Sequence, residues 1–510
     1  MHGEGVQTEA ALRIEVAGRV QHRLTSNAVH PATLSVKSRA MRSLEISAPQ
    51  FRELAKQICD LAADFLETID AKPIIPSASG SETENAFRMP LPEKGLGPEA
   101  LNDLSTVVRH SRIPNGRFFG YVLGSGEPVG ALADFFASVL NQNVTAWRSS
   151  PAAVTVEKTV VDWIADALGC KGFSGSLTGG GSSANLMGLA MARESKIPAN
   201  ETGCSAKATV YASEEVHMSI PKAVALLGIG RENLRLVRTD ESFHLIPEEL
   251  ERAIARDQDA GKVPVAVVAS AGTVNTGAID PLTQVAAIAR QHGAWFHVDG
   301  AYGALAALAV RNRFQGLELA DSISLDPHKW LYQPLDCGCL LYRDPEAARK
   351  AFAYTGDYTR VLNQDPIESF AFFEESPELS RGFRALKLWL SLRYHGFEAF
   401  RQSIKSDLAY ARDLAEKIVN QPELELVAPV ELSAVCFRYL GGGGRSEGDI
   451  NRLNPAILKQ VNKRGRVYLS NATLRAKFCL RACIINHRTK PSDLDDVVTE
   501  VLEAAREVLR

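Results

Sequence analysis

No uninterrupted apolar run in the 510 residues approaches the roughly 20 that a membrane helix needs, so no membrane span is expected. Charge of one sign is not in excess either. A formal net charge of -3 gives no electrostatic case for nucleic acid or an anionic membrane surface. Disulfide and zinc frameworks are also missing. The eight cysteines, Cys59, Cys170, Cys204, Cys337, Cys339, Cys436, Cys479 and Cys483, are scattered, mostly within apolar runs. No secretory signal precedes them, and buried free thiols in a reducing cytoplasm are expected. Cys337-Gly338-Cys339 lacks zinc-ligand spacing and nearby partners, and is expected to be part of a strand. There are no internal repeats, no GxxxxGK[ST] loop and no ribose-binding acid placed for a dinucleotide.

What is there begins as an ordinary globular composition, 45% hydrophobic and 23% charged, in a chain long enough for a large domain with smaller companions. Residues Val16 to Leu44 contain Arg19, Arg23, Lys37, Arg39 and Arg42 but no Asp or Glu, the composition of a transit peptide. Glu4, Glu9 and Glu15 weigh against that, and residues 1–44 are expected to be a disordered extension, with Met41 a candidate true start. From Ser47 to Ile69, Phe51, Leu54, Ile58, Leu61, Phe65 and Leu66 recur at helical spacing. This stripe has no core of its own and is expected to pack on another subunit, within a helical dimerisation segment 45–113. Ile74 to Pro98 is expected to be a linker.

Pro114 to Gly126, PNGRFFGYVLGSG, is a glycine-punctuated aromatic loop that suits either a pocket wall or the core. From there to about Arg343, apolar runs at Ala208–Ala212, Val265–Ala269, Ala294–Val298, Ser322–Leu325 and Gly338–Tyr342 alternate with helical segments. That alternation predicts an α/β sheet with helices on both faces. Ligands in such sheets bind at the carboxyl ends of strands, where Ser213, Ser270, Asp299 and Lys329 fall. A large domain is expected over 114–399, with a mobile loop at 352–377. A small C-terminal domain is expected over 400–510, with strands near Ser433–Tyr439, Arg466–Leu469 and Phe478–Ile485 and a last helix from Ser492 to Leu509.

Two charges stand where charge is expensive. Asp299 ends the run Trp295-Phe296-His297-Val298, and Lys329 follows Ile323-Ser324-Leu325 within Asp326-Pro327-His328-Lys329-Trp330. An amine and a carboxylate at strand ends suit an aldehyde cofactor with a ring nitrogen, the lysine taking the aldehyde and the aspartate the ring N–H. The run Thr178-Gly179-Gly180-Gly181-Ser182-Ser183 opens a helical segment, where bare amides and a hydroxyl form an anion site. A small phosphorylated cofactor fits it better than a nucleotide. His217, between a strand and a helix, is either structural or stacked on that cofactor's ring.

Together these residues resemble the group II decarboxylases that use pyridoxal phosphate, which include the aromatic-L-amino-acid, glutamate and histidine decarboxylases. The signatures are His297-Val298-Asp299-Gly300-Ala301-Tyr302, Asp326-Pro327-His328-Lys329-Trp330, Thr178 to Leu186, Leu379-Ser380-Arg381-Gly382-Phe383-Arg384 and Leu480-Arg481-Ala482-Cys483. The resemblance covers the chain from roughly Met41 to its end, and Trp330 with Asp336-Cys337 looks more like the aromatic branch than the glutamate branch. The resemblance implies fold type I, with a mostly parallel seven-stranded sheet in the large domain, an N-terminal helical segment and a small α+β C-terminal domain. It implies a homodimer with shared active sites and a small-molecule amino-acid substrate. By motif, Lys329 would hold pyridoxal 5'-phosphate and Asp299 its ring nitrogen. Ala301 and His217 would flank the ring, Gly180, Gly181, Ser182 and His328 would hold the phosphate, and Thr273 would lie near the ring hydroxyl. Tyr121 matches a pocket aromatic of the aromatic decarboxylases, while Val122, Leu123 and Gly124 depart from its usual neighbours. Arg481 stands where glutamate decarboxylases use an arginine for the substrate carboxylate. Asp326 stands where asparagine is frequent among relatives.

The family places a tyrosine on its mobile loop to return the last proton. Counting back without gaps from Leu379-Ser380-Arg381 lands on Phe372, with Tyr354 and Tyr358 as other candidate donors. In relatives that resemble plant aldehyde synthases, phenylalanine at this place diverts the reaction to oxygen, giving aldehyde, ammonia and peroxide. The expected product is thus the amine of an aromatic amino acid (tyrosine, phenylalanine, tryptophan or dopa type) with carbon dioxide. The aldehyde comes second, beside decarboxylation of a non-aromatic amino acid such as methionine or glutamate. Cofactor binding without turnover is the non-enzymatic alternative.

Overall fold

The computed structural model describes residues 44–354, 365–441 and 443–510. The expected extension with its start at Met41, Tyr358 and most of the first half of the 352–377 loop lie outside the described residues. The chain divides into two compact units, Met1–Ala63 and Asp64–Arg510. Among its described residues the first unit carries most of the helix Ala48–Glu67, none of whose residues is buried. Its stripe leaves Ile58 and Leu66 exposed. No helix among the described residues is long and apolar enough to cross a membrane.

The second unit is built on a seven-stranded sheet in the order β1-β7-β6-β5-β4-β2-β3. The strands are β1 (Ser174–Thr178), β2 (Ala208–Ser213), β3 (Leu234–Val237), β4 (Val263–Ser270), β5 (Trp295–Asp299), β6 (Ser322–Leu325) and β7 (Gly338–Tyr342). The pairs β2–β3, β2–β4, β4–β5 and β5–β6 are parallel. Only β7 is reversed, running antiparallel to both β1 and β6. The central strands are mostly apolar because both faces are covered. Alternate side chains go to opposite cores: Val267, Ala269, Cys339 and Leu341 join one, and Ala266, Val268, Leu340 and Tyr342 join the other. Helices Pro151–Ala167 and Leu282–Gln291 contribute to the first core, and Gly181–Lys196 and Ser219–Leu226 to the second.

A second sheet, β8 (Leu424–Leu426), β9 (Ala434–Tyr439), β10 (Ser470–Leu474) and β11 (Lys477–Cys483), is antiparallel in the order β10-β11-β9-β8. The strand expected at Arg466–Leu469 lies a few residues further on, because Tyr468 instead bridges to Phe118. Helices Glu447–Arg464 and Pro491–Val508 pack on this sheet, and so does Phe119 from the aromatic loop. The linker expected at Ile74–Pro98 contains a helix, Gly80–Phe87. A capping box starts it: the Ser79 hydroxyl accepts from Glu82 N–H, and the Glu82 carboxylate accepts from Ser79 N–H. The long helix Ala385–Val419 is broken at Gly396, whose φ of 75° no helix accommodates.

Candidate active site

The carboxyl ends of β1, β2, β4, β5 and β6 open on one cavity of about 510 Å³. Lys329, Asp299, His217, Thr273, Ala301, His328, Gly180, Gly181, Ser182, Tyr121 and Arg481 all line it, drawn together from positions 121 to 481. Phe372 does not.

β1 ends at Thr178, and after Gly179 and Gly180 the helix Gly181–Lys196 begins with its first residues lining the cavity. Two glycines here have no room for a side chain. A Cβ on Gly181 would stand 2.6 Å from Ala301 Cβ and 2.9 Å from Asp326 Oδ2, and one on Gly338 would stand 2.4 Å from Gly180 Cα. The loop is thereby held against β7 and left bare toward the cavity, a cradle for an anion at a helix N-terminus.

Asp299 is 6% exposed and closes β5. Its Oδ2 accepts from Asn185 Nδ2 at 3.0 Å, and its Oδ1 accepts from Ser324 Oγ at 3.1 Å and Ala301 N–H at 3.2 Å. Three donors on a buried carboxylate fix its orientation and compensate its desolvation. Lys329 Nζ stands 2.8 Å from Asp326 Oδ2, in the short turn after β6. Asp326 is itself buried, and its other oxygen has no partner among the described residues. Burial lowers the pKa of His217 and His328, keeping neutral rings beside these charges. His328 Nδ1 donates to Cys337 O at 2.8 Å. Thr273 is held by a hydroxyl pair with Thr276 at 2.8 Å.

At the cavity mouth the aromatic loop divides its duties. Phe118 and Phe119 are buried, while Tyr121 is half exposed and holds a φ of 60°. Arg481 supports that conformation: its Nη2 donates to Tyr121 O at 3.1 Å and its Nη1 to Ser470 Oγ at 3.1 Å. The arginine's Nε is buried without a partner among the described residues.

Phe372 is fully buried, in a short helical turn Phe372–Glu374. It packs edge-on to Phe370 at 4.9 Å, with the Arg381 guanidinium 4.2 Å over its ring. Phe372, read as the residue in place of a loop tyrosine, therefore does not reach this cavity within one chain. The gapless count gave its place in the chain but not its surroundings. Phe372→Leu is expected to cost about 1–3 kcal/mol of stability through the space it leaves. The ratio of amine to aldehyde formed should stay unchanged, as product analysis beside thermal unfolding would show.

Sequence reasoning missed the polar residues behind the site, above all Asn185, Ser219 and the buried His297. Asn185 carried the one signal available, a lone amide on a helix face otherwise made of Ala184, Met187, Gly188 and Leu189.

A glycine cradle for an anion, an amine and a donor-fixed carboxylate around one cavity fit pyridoxal phosphate, and these features define a pyridoxal phosphate enzyme. The pyridoxal-dependent decarboxylase conserved domain matches residues 84–440, so the chain belongs to that family and is a pyridoxal phosphate-dependent carboxy-lyase. An aromatic-L-amino-acid decarboxylase of Bacillus atrophaeus is 34% identical over 472 residues, 91% of this chain and 98% of the relative. A phenylacetaldehyde synthase of Arabidopsis thaliana is 30% identical, over 86% of this chain and 92% of its own. The crystal structure of Oryza sativa TDC with PLP and tryptamine superposes with a TM-score of 0.85 at 27% identity, covering 92% of this chain and all of that one.

Proposed function

We propose that this enzyme is a cytoplasmic homodimer that converts an aromatic L-amino acid to its amine and carbon dioxide. The observation that carries the reading is the meeting of Lys329, Asp299 and the glycine cradle in one cavity. Lys329 Nζ would hold the cofactor's aldehyde carbon and Asp299 would face its ring nitrogen. Gly180, Gly181, Ser182 and His328 would hold the phosphate, Thr273 would lie toward the ring hydroxyl, and His217 and Ala301 would flank the ring. Bound pyridoxal phosphate supplies the electron sink for the pair left as carbon dioxide departs. The cavity walls would have to hold the substrate's carboxylate bond across the ring plane, the orientation that favours its cleavage over others. Tyr121 and Arg481 line the part left for the substrate side chain.

The aromatic substrate draws support from the Bacillus relative and from Tyr121 at the mouth. The homodimer draws support from the helix Ala48–Glu67, which carries an apolar stripe and buries none of its residues. The reducing compartment draws support from eight cysteines that are all free. With Phe372 in the core, the aldehyde route loses the residue that argued for it. Screening the amino acids for carbon dioxide, with amine, aldehyde and peroxide assayed together, tests the proposal. Amine alone from an aromatic substrate supports it. Peroxide equal to carbon dioxide mole for mole overturns the product, and release from glutamate or methionine alone overturns the substrate class.

Asp326 offers a separate check. A carboxylate beside the cradle opposes a bound phosphate, since like charges a few ångströms apart repel by several kcal/mol at an effective dielectric near ~20. Asp326→Asn is expected to tighten cofactor binding about tenfold. An absorbance titration of apoenzyme with pyridoxal phosphate measures it, and an unchanged or weaker affinity refutes it.

A further inference from the structure

Behind the cavity runs a chain of buried hydrogen bonds whose direction can be read from one end to the other. The Trp295 indole N–H has no choice but to donate, and it does so to Ser322 Oγ at 2.8 Å. Asn185 Nδ2 lies 3.0 Å from the Asp299 carboxylate and 2.9 Å from Ser219 Oγ, so the amide nitrogen is the donor to both. Its Oδ1 must then accept, and the donor is His297 Nε2 at 2.8 Å. With its proton on Nε2, His297 accepts at Nδ1 from Ser322 Oγ at 2.8 Å. Burial lowers the pKa of His297 to about 4, which agrees with one proton on this ring.

The same amide determines the other branch. Ser219 Oγ accepts from Asn185 and so turns its own proton toward His217 Nδ1, 2.8 Å away. The Ser219 N–H points at that nitrogen too, at 3.2 Å. Two donors on Nδ1 leave the His217 proton on Nε2, which has no protein partner among the described residues and belongs to a ring lining the cavity.

We propose that Ser219, oriented by Asn185, is a positioning residue that sets His217 as the Nε2–H tautomer, so that the ring presents an N–H donor to the cavity. Asn185 thereby ties the orientation of His217 to that of Asp299 through a single amide. A neutral ring with a fixed donor can lie against a cationic cofactor ring without repelling it, and can still bond a carboxylate oxygen. The charged groups facing His217 are Asp299, Asp326, Lys329 and Lys222, of both signs. Its tautomer therefore depends on the two bonds to Nδ1 and not on net field. This catalytic consequence rests on the proposed place of His217 in the decarboxylase site, but the tautomer itself does not.

The test is nitrogen NMR of the cofactor-loaded protein carrying 15N-histidine, with His217 assigned by the signal lost in His217→Gln. The wild type should show the Nε2–H form throughout the neutral range. Each bond to Nδ1 opposes protonation, so Ser219→Ala should raise the His217 midpoint by about one pH unit, the worth of one hydrogen bond. Ser219→Thr, which keeps the hydroxyl, should restore it, and the acid limb of kcat/KM should move with the midpoint. An Nδ1–H form in the wild type overturns the proposal, as does an unmoved midpoint in folded Ser219→Ala. Should Ser219→Thr fail to fold, those two measurements still decide. Absence of decarboxylation with every amino acid would sink the functional reading and leave this readout intact.

Discussion

Lys329→Ala is expected to abolish both the visible absorbance of the lysine-bound cofactor and the release of carbon dioxide. The fall in rate should be roughly 10⁴-fold or more, as for loss of a covalent nucleophile elsewhere. Two features make the effect so large. Lys329 is the one lysine among the described residues lining the cavity, so no neighbour can replace it. Its amine is also held in place before any ligand arrives, 2.8 Å from Asp326 Oδ2 on a side chain only 16% exposed. The phosphate cradle is untouched by the substitution, and equilibrium dialysis should still find pyridoxal phosphate bound, though more weakly. Absorbance that persists in the variant would move the covalent role to another residue. Absorbance in the wild type without carbon dioxide from any amino acid would instead favour a binding protein.

The second large effect is expected at Arg381, well away from the chemistry. Arg381 is 2% exposed and pairs with Glu157, which is wholly buried. The guanidinium also donates to Val144 O at 2.9 Å and to Leu177 O at 2.8 Å, while Glu157 Oε1 accepts from Leu177 N–H at 2.8 Å. Arg381→Ala strands a buried carboxylate and should cost about 3–5 kcal/mol. Both groups grip Leu177, next to the residue that ends β1, so cofactor affinity should fall with stability. Adding Glu157→Gln removes the stranded charge and should recover part of the loss. Chemical unfolding of the two single variants and the double variant measures this, and purely additive losses would show that the pair is not coupled.

These residues also show where sequence was informative and where it was silent. β2 and β4 to β7 were legible because strands covered on both faces are mostly apolar runs set between helical segments. β1, Ser-Gly-Ser-Leu-Thr, carries no such run; it is a strand because β7 pairs with it along its whole length. The helix Gly80–Phe87 was hidden in a polar stretch whose capping box was the only sign. Lys329 and Asp299 were legible because a charge ending an apolar strand is costly. The relay from Asn185 to His297 crosses 112 residues, and hydrogen-bond direction leaves no spacing in sequence. Phe372 is the reverse case: a position counted along a loop says nothing of which way a side chain packs.

The reversal of β7 has a consequence for how this site tolerates change. A strand running against its neighbours brings its first residue, not its last, to the functional edge. Gly338 therefore lies directly beneath Gly180. A residue that does not line the cavity thus decides how closely the glycine loop packs on the sheet. Substitution there would be felt as lost cofactor rather than a weakened sheet, and the footprint of binding extends one layer deeper than the cavity wall.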